Sequence, residues 1–187
     1  MNKSLQTVFF IPPEYQDYRI KDFLGAKKKV VVDALECVSK LINDHMWSEG
    51  KYVFVYGQYR TIKTSFASAA LNAWININNK YTYFTSPKHL LDHKFPNDED
   101  FISHYDAIMN SPFLLIDDLY ATNMSNKTDM LMGNVLEDFF RYRSGNNFGG
   151  IITSKHSLDK IGQKYGQSLS SLLKTKIIGE FNFDQVL

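Results

Sequence analysis

Apolar positions along the chain alternate between two rhythms, short buried runs and stretches with a period of three to four. Between Gly25 and Met46 the residues Val31, Leu35, Val38, Leu41, Ile42 and Met46 recur at three and four, which predicts an amphipathic helix with Lys27, Lys28 and Lys29 at its front. Ser48 to Gly50 is the turn that follows, and the run Tyr52 to Tyr56 then predicts a buried strand ending at Gly57. After a short loop, Phe66, Ala67, Ala70, Leu71 and Trp74 return to helical spacing. Lys80 to Thr85 is rich in β-formers and ends at Ser86-Pro87, a second strand. Lys88 to Met109 is helical material broken at Pro96.

The second half repeats the alternation. Phe113 to Tyr120 (FLLIDDLY) is four apolar residues running into two carboxylates, a buried strand whose acids emerge at its carboxyl end. Thr122 to Thr128 is a polar loop, and Asp129 to Arg143 is a helix with Met132, Val135, Leu136 and Phe139 inward. Arg141 and Arg143 close its last turn, where cations favour the helix dipole. Gly145 to Gly150 is a turn, Gly150 to Ser154 a fourth strand, Leu158 to Leu173 one helix, and Lys176 to Phe181 a fifth strand. Such alternation implies an α/β fold with a mostly parallel sheet between helices. Ahead of it, Thr7 to Phe23 carries Pro12-Pro13 and alternating aromatics and charges, an extended strap over the domain. The division is residues 1–24 as strap or partner-binding arm and 25–187 as the α/β domain.

With 187 residues, 44% of them hydrophobic, the chain suits one domain with a sizeable core. A formal charge of +1 excludes a protein that grips nucleic acid by bulk charge. The single cysteine, Cys37, sits on an apolar helical face and reads as a small core residue. Residues 1–11 are too short and weakly apolar for a signal peptide, and no apolar run reaches membrane-spanning length, so a cytoplasmic protein without a membrane partner is expected. His89 and His93, four apart, lack further ligands nearby and are read as an ordinary helical pair.

The candidate chemistry lies between Gly57 and Ser65, GQYRTIKTS. Apart from Ile62, which stands where a second glycine belongs, these residues satisfy the phosphate-cradling pattern G-x-x-x-x-G-K-[ST]. In such a loop the backbone N–H groups of Gly57, Gln58, Arg60, Thr61, Ile62 and Ser65 form an anion nest at a helix start, Lys63 reaches the outer phosphates, and Thr64 binds the bridging Mg²⁺. Ile62 resists the positive φ and close backbone approach that glycine permits. Alone, the segment reads equally well as an ordinary strand, turn and helix. The carboxylates after FLLI supply the complementary half, Asp117 to hold Mg²⁺ through water and Asp118 to polarise the attacking water.

These residues, with IPPEYQDYRIKDF, YVFVYG, KTSFA, LLIDDL, IITS and YGQSLSSLL in that order, resemble the AAA+ ATPase domain of the DnaC/DnaI-type replicative helicase loaders and their relative, the transposition ATPase IstB. The resemblance covers about Ile11 to Phe181. It implies a P-loop NTPase of AAA+ type, a three-layer sandwich whose five-stranded sheet has the order 5-1-4-3-2, with ATP or ADP and Mg²⁺ at the loop, Lys63 and Asp118 catalytic, and Thr64 and Asp117 at the metal. Only about ten residues precede the lead-in, which is expected of a short phage or mobile-element version. Arg60 and Ile62 replace glycines of the family's loop, Lys155 follows Ser154 at the sensor-like position usually held by Asn, and Leu172 falls where a trans-acting arginine is expected. The chain also ends near where a further sensor arginine is expected. Since an arginine finger contributes on the order of 10³-fold or more to phosphoryl transfer, weak turnover is expected.

The function so implied is a replication protein resembling a helicase loader, with a replicative helicase or a host loader as partner. A non-catalytic adaptor or inhibitor of that helicase or loader is the alternative, and an IstB-like transposition ATPase a third. Single-stranded DNA is a further candidate partner, through Lys27 to Lys29, Lys88, Lys94, Lys174 and Lys176 with Tyr81 or Tyr83 for stacking, and homo-oligomerisation is open.

Overall fold

Val53, Phe54 and Val55 are fully buried, as are Leu114 to Ile116 and Ile151 to Ile152, so these strands need cover on both faces. The computed structural model, which describes residues 8–9, 11–58, 62–94, 99–120 and 126–186, provides it with helices on either side. In chain order the elements are β1 (Val8–Phe9), α1 (Lys29–Asn43), β2 (Tyr52–Tyr56), α2 (Lys63–Asn78), β3 (Thr82–Thr85), α3 (Pro87–Lys94) and α4 (Glu99–Asn110). Then come β4 (Phe113–Ile116), α5 (Asn126–Gly145), β5 (Gly149–Ser154), α6 (Leu158–Tyr165), α7 (Gln167–Lys176) and β6 (Ile177–Asn182). The sheet order is β1-β3-β4-β5-β2-β6, and every described pair is parallel. The five strands expected from sequence therefore stand in the order 5-1-4-3-2.

Alternate strand residues feed two cores. Val53, Val55, Phe113, Leu115 and Ile151 meet α1 and α2, with Trp74 stacked on Phe113 at 5.0 Å and edge-on to Trp47 at 5.3 Å. Tyr52, Phe54, Leu114, Ile116 and Ile152 meet α5, α6 and α7, together with Leu90 of α3 and Ile108 of α4. This is the three-layer sandwich, and its strand ends converge on one rim where β2 and β4 hand over to loops.

Several boundaries differ from the sequence expectation. The strap contributes β1, a sixth strand outside β3, and two 3-10 turns, Pro13–Tyr15 and Ile20–Phe23. It is held on α2 by the Asn72 amide, which donates to Gln16 O at 3.2 Å and Tyr18 O at 3.0 Å. The helix expected over Leu158 to Leu173 is two helices, because Gly166 takes φ +112° and ψ 141°, which no helix contains. Helix α1 is shorter than its periodicity, since His45 enters the left-handed region and Met46–Glu49 forms a 3-10 turn. Residues 126–128, expected in a loop, are the first turn of α5. Pro96 lies outside the described residues, as does the side chain of His93.

Arg143 has a different task from the expected dipole contact. It is fully buried, and its guanidinium donates to Tyr52 Oη (3.0 Å), Ile108 O (3.2 Å), Met109 O (3.2 Å), Ser111 O (2.7 Å) and Gly149 O (2.9 Å). It thereby ties α4, α5, β2 and the start of β5 together. Arg141 lies on the surface, paired with Glu137 at 2.6 Å.

Candidate functional site

The site is assembled at the carboxyl rim of the sheet from the ends of β2, β4 and β5. Where β2 ends, the Gly57 N–H donates to Ser154 O at 3.1 Å, which keeps the chain against β5 as it leaves the sheet. Gly57 has φ +155°, and a Cβ there would lie 3.0 Å from both N and Oδ1 of Asp184, so the position excludes a side chain. The next amide, Gln58 N–H, donates to Asp184 Oδ1 at 2.5 Å. Asp184 belongs to the 3-10 turn Phe183–Val186, anchored by Phe183, which is buried and edge-on to Phe66 at 5.2 Å.

Arg60 and Thr61 lie outside the described residues. The chain is described again at Ile62, which has φ −76° and ψ 16° and caps α2. Ile62 thus takes an ordinary conformation, not the positive φ it was expected to resist, and its half-buried side chain joins the α1 and α2 core. Its carbonyl accepts Phe66 N–H (2.9 Å) and Ser65 Oγ–H (3.1 Å). Ser65 is therefore turned to the helix backbone. Lys63, first residue of α2, is 8% exposed and donates from Nζ to Gln58 O at 2.8 Å.

From the second half, Asp117 meets Thr64 across the sheet. Thr64 Oγ1 donates to Asp117 Oδ1 at 3.0 Å and Thr153 Oγ1 donates to the same oxygen at 2.6 Å. Asp118 follows at φ +50°, its N–H bonded to Thr153 Oγ1 at 3.0 Å, which turns its carboxylate towards Lys155 Nζ at 3.9 Å. Lys155 is 6% exposed. Ser154 Oγ accepts the His156 N–H at 3.1 Å, so of the two sensor-like positions only Lys155 presents its side chain to the acids.

The electrostatics follow from burial. Desolvation holds the Asp117 carboxyl above its ordinary value, against the hydrogen bonds from Thr153 and Thr64 and the charge of Lys63. Desolvation also raises Asp118, against Lys155, with Asp117 adding to the rise. Lys63 is lowered by burial, against the pull of Asp118 and Asp117. Two partly desolvated cations and two partly desolvated anions thus share one rim, where added phosphate or metal charge is felt strongly.

Tested against Mg²⁺, the donors fit. Thr64 Oγ1 and Asp117 Oδ1 are hard oxygens 3.0 Å apart, and Mg²⁺ takes one or two such protein ligands with water and phosphate completing its shell. Among the described residues no group of three His, Cys, Asp or Glu side chains could cage a metal alone. Two contributors escaped the sequence reading. Thr153 was visible only as a polar residue in a buried strand, and Asp184 carried no local signal at all.

The sequence matches no family model and no curated protein. Solved structures do match. A DnaC helicase loader superposes with a TM-score of 0.76 at 20% identity over 92% of this chain and 99% of that one. DnaI follows at 0.74 and 18% identity, over 93% and 96%. The replication initiator DnaA bound to AMPPCP and single-stranded DNA gives 0.72 at 18% identity, over 95% of this chain but 53% of that one, so the chain spans about half of DnaA. With the strand order above, the chain has the parallel three-layer α/β fold of the DnaC and DnaI helicase loaders.

Proposed function

We propose that this chain is a cytoplasmic DNA replication protein of helicase-loader type that binds ATP or ADP with Mg²⁺ and hydrolyses ATP weakly or not at all. The reading rests above all on Thr64 Oγ1 meeting Asp117 Oδ1 at 3.0 Å beside the buried Lys63. Thr64 and Asp117 would hold the metal, which would supply positive charge to offset that of the phosphates. Lys63 supplies a cation to those phosphates, and the start of α2 supplies N–H groups. Asp118 is the remaining acid for orienting water, but Lys155 lies 3.9 Å from it and competes for its oxygens. Arg60 in place of a loop glycine points the same way.

The fold it shares with DnaC and DnaI supports a replicative helicase, or a host loader of one, as partner, and DnaA bound to single-stranded DNA supports that nucleic acid as a second ligand. A second reading, an adaptor or inhibitor that has stopped using nucleotide, draws on the loop's own bonds. Gln58, at the head of the loop, already donates to Asp184 and accepts from Lys63, so its backbone groups are engaged by the chain itself.

Titration with a fluorescent ATP analogue and Mg²⁺ separates the two readings. Saturable binding lost in Lys63→Ala supports the nucleotide switch, and no detectable binding leaves the adaptor. In a turnover assay with and without single-stranded DNA, brisk hydrolysis abolished by Lys63→Ala would overturn the claim of weak activity. Capture of a purified replicative helicase by the tagged chain tests the partner.

A further inference from the structure

At the opposite edge from the strap, β6 has β2 on one side and, among the described residues, no strand on the other. It is six residues long, free of proline, and carries one charge, Glu180, whose side chain accepts the Leu158 N–H at 3.3 Å. Apart from that charge and a bulge at its start, the described residues give it none of the devices that blunt a sheet edge. Between this edge and α1 lies a groove of about 380 Å³ floored by Met46, Ile178 and Phe181. Cys37, expected in the core, packs against it but is only half-buried and also lines the wall of this groove.

The wall itself is patterned. Lys29, Asp33, Glu36, Cys37, Lys40 and Asp44 recur at helical spacing, each exposed or half-buried. Among the described residues none of their charges is engaged in an ion pair. Read backwards about a midpoint between Glu36 and Cys37, Lys29 falls on Asp44 and Asp33 on Lys40, opposite charges in both cases, while Glu36 falls on the uncharged Cys37. That midpoint coincides with the middle of the strand, since a Cβ on Gly179 would lie 2.7 Å from Cys37 Sγ.

We propose that β6 and the outer stripe of α1 form a two-fold interface with a second copy of this chain, the β6 strands pairing antiparallel into one continuous sheet. The two-fold sets Asp33 against Lys40 of the second copy and Lys29 against its Asp44, each contact occurring twice. Spacing permits it. Paired strands stand about 4.8 Å apart, and α1 lies over both β2 and β6, so the two α1 helices come to about 10 Å, an ordinary packing distance. An isologous contact of this kind closes at two copies. None of Lys63, Thr64 and Asp117 belongs to the strand, the groove or the charged stripe, so the proposal does not depend on nucleotide binding.

Light scattering after size exclusion reads the mass, and Cys37, the only cysteine, reads the geometry. The expected result is a species of twice the 21.6 kDa chain mass at micromolar concentration, joined covalently by a short bismaleimide at pH 8. Asp33→Lys and Lys40→Asp each weaken association about tenfold or more, and the double swap restores both mass and cross-link, which a merely structural role for either residue does not predict. A monomer at all concentrations overturns the proposal. So does a dimer that survives either single reversal, or one that Cys37 cannot bridge, and so does open-ended assembly.

Discussion

Arg143 places a full positive charge in the core, and among the described residues no carboxylate pairs with it. Four backbone carbonyls and the Tyr52 hydroxyl surround the guanidinium instead, so the planar fork matters as much as the charge. Truncation takes the charged donor away from all five acceptors, of which Ile108 O keeps the Ser111 N–H and the Tyr52 hydroxyl keeps its bond to Phe148 O. Arg143→Ala is expected to cost about 3 kcal/mol or more in urea unfolding, and Arg143→Lys to recover little of it. Asp117 behaves in the opposite sense. Its carboxyl is raised by burial, so the stability it contributes is present in full below about 3.9, the unfolded value, and is lost as pH rises through the folded value. At neutral pH the ionised group is a net cost, and Asp117→Asn, which keeps an acceptor for Thr64 and Thr153, is expected to raise the melting temperature while removing Mg²⁺-dependent nucleotide binding. A lower melting temperature at pH 7 would contradict this account. Asp117 stood out in the sequence as a member of a motif, Arg143 only as a cation in a helix's last turn. A motif names its own members, whereas an arginine at a helix end looks the same whether it faces water or five acceptors.

Among the elements, the strap and the paired helices α6 and α7 separate what periodicity reveals from what it hides. The strap's side-chain hydrogen bonds to α2 come from Asn72, whose amide donates to two strap carbonyls. Asn72→Leu is expected to leave global unfolding within about 1–2 kcal/mol of wild type while exposing Arg19 and Lys21 to trypsin through local opening. Unchanged cleavage would show that the apolar contacts of Ile11 and Phe23 hold the strap unaided. Helices α6 and α7 share an inward stripe, Ile161, Tyr165 and Leu169, all in one cluster. The rhythm therefore runs through Gly166 without a break, and one helix was the natural expectation. What divides them is a backbone angle, φ +112°, with open space around the missing Cβ. Gly166→Ala should accordingly cost about 1–2 kcal/mol of backbone strain and no steric clash, measurable as a small shift in the urea midpoint.

For the molecule as a whole, ligand linkage offers the broadest check. Mg-ATP at about a hundred times its dissociation constant stabilises a folded protein by about 2.7 kcal/mol, which for a chain of this size is a rise of several degrees in melting temperature. Lys63→Ala should abolish the rise and leave the apo transition in place. The sequence alone determined the alternation of strands and helices, the parallel sheet, and the pairs Lys63-Thr64 and Asp117-Asp118, because periodicity and motif spacing are local properties that survive without a fold. Tertiary structure alone decided that Thr153 bridges the two acids, that Lys155 faces Asp118, that Asp184 returns to the Gln58 amide, and that β1 joins the sheet. Each of those contacts joins segments set side by side by strand order and register, and neither is written in the spacing of residues along a single segment.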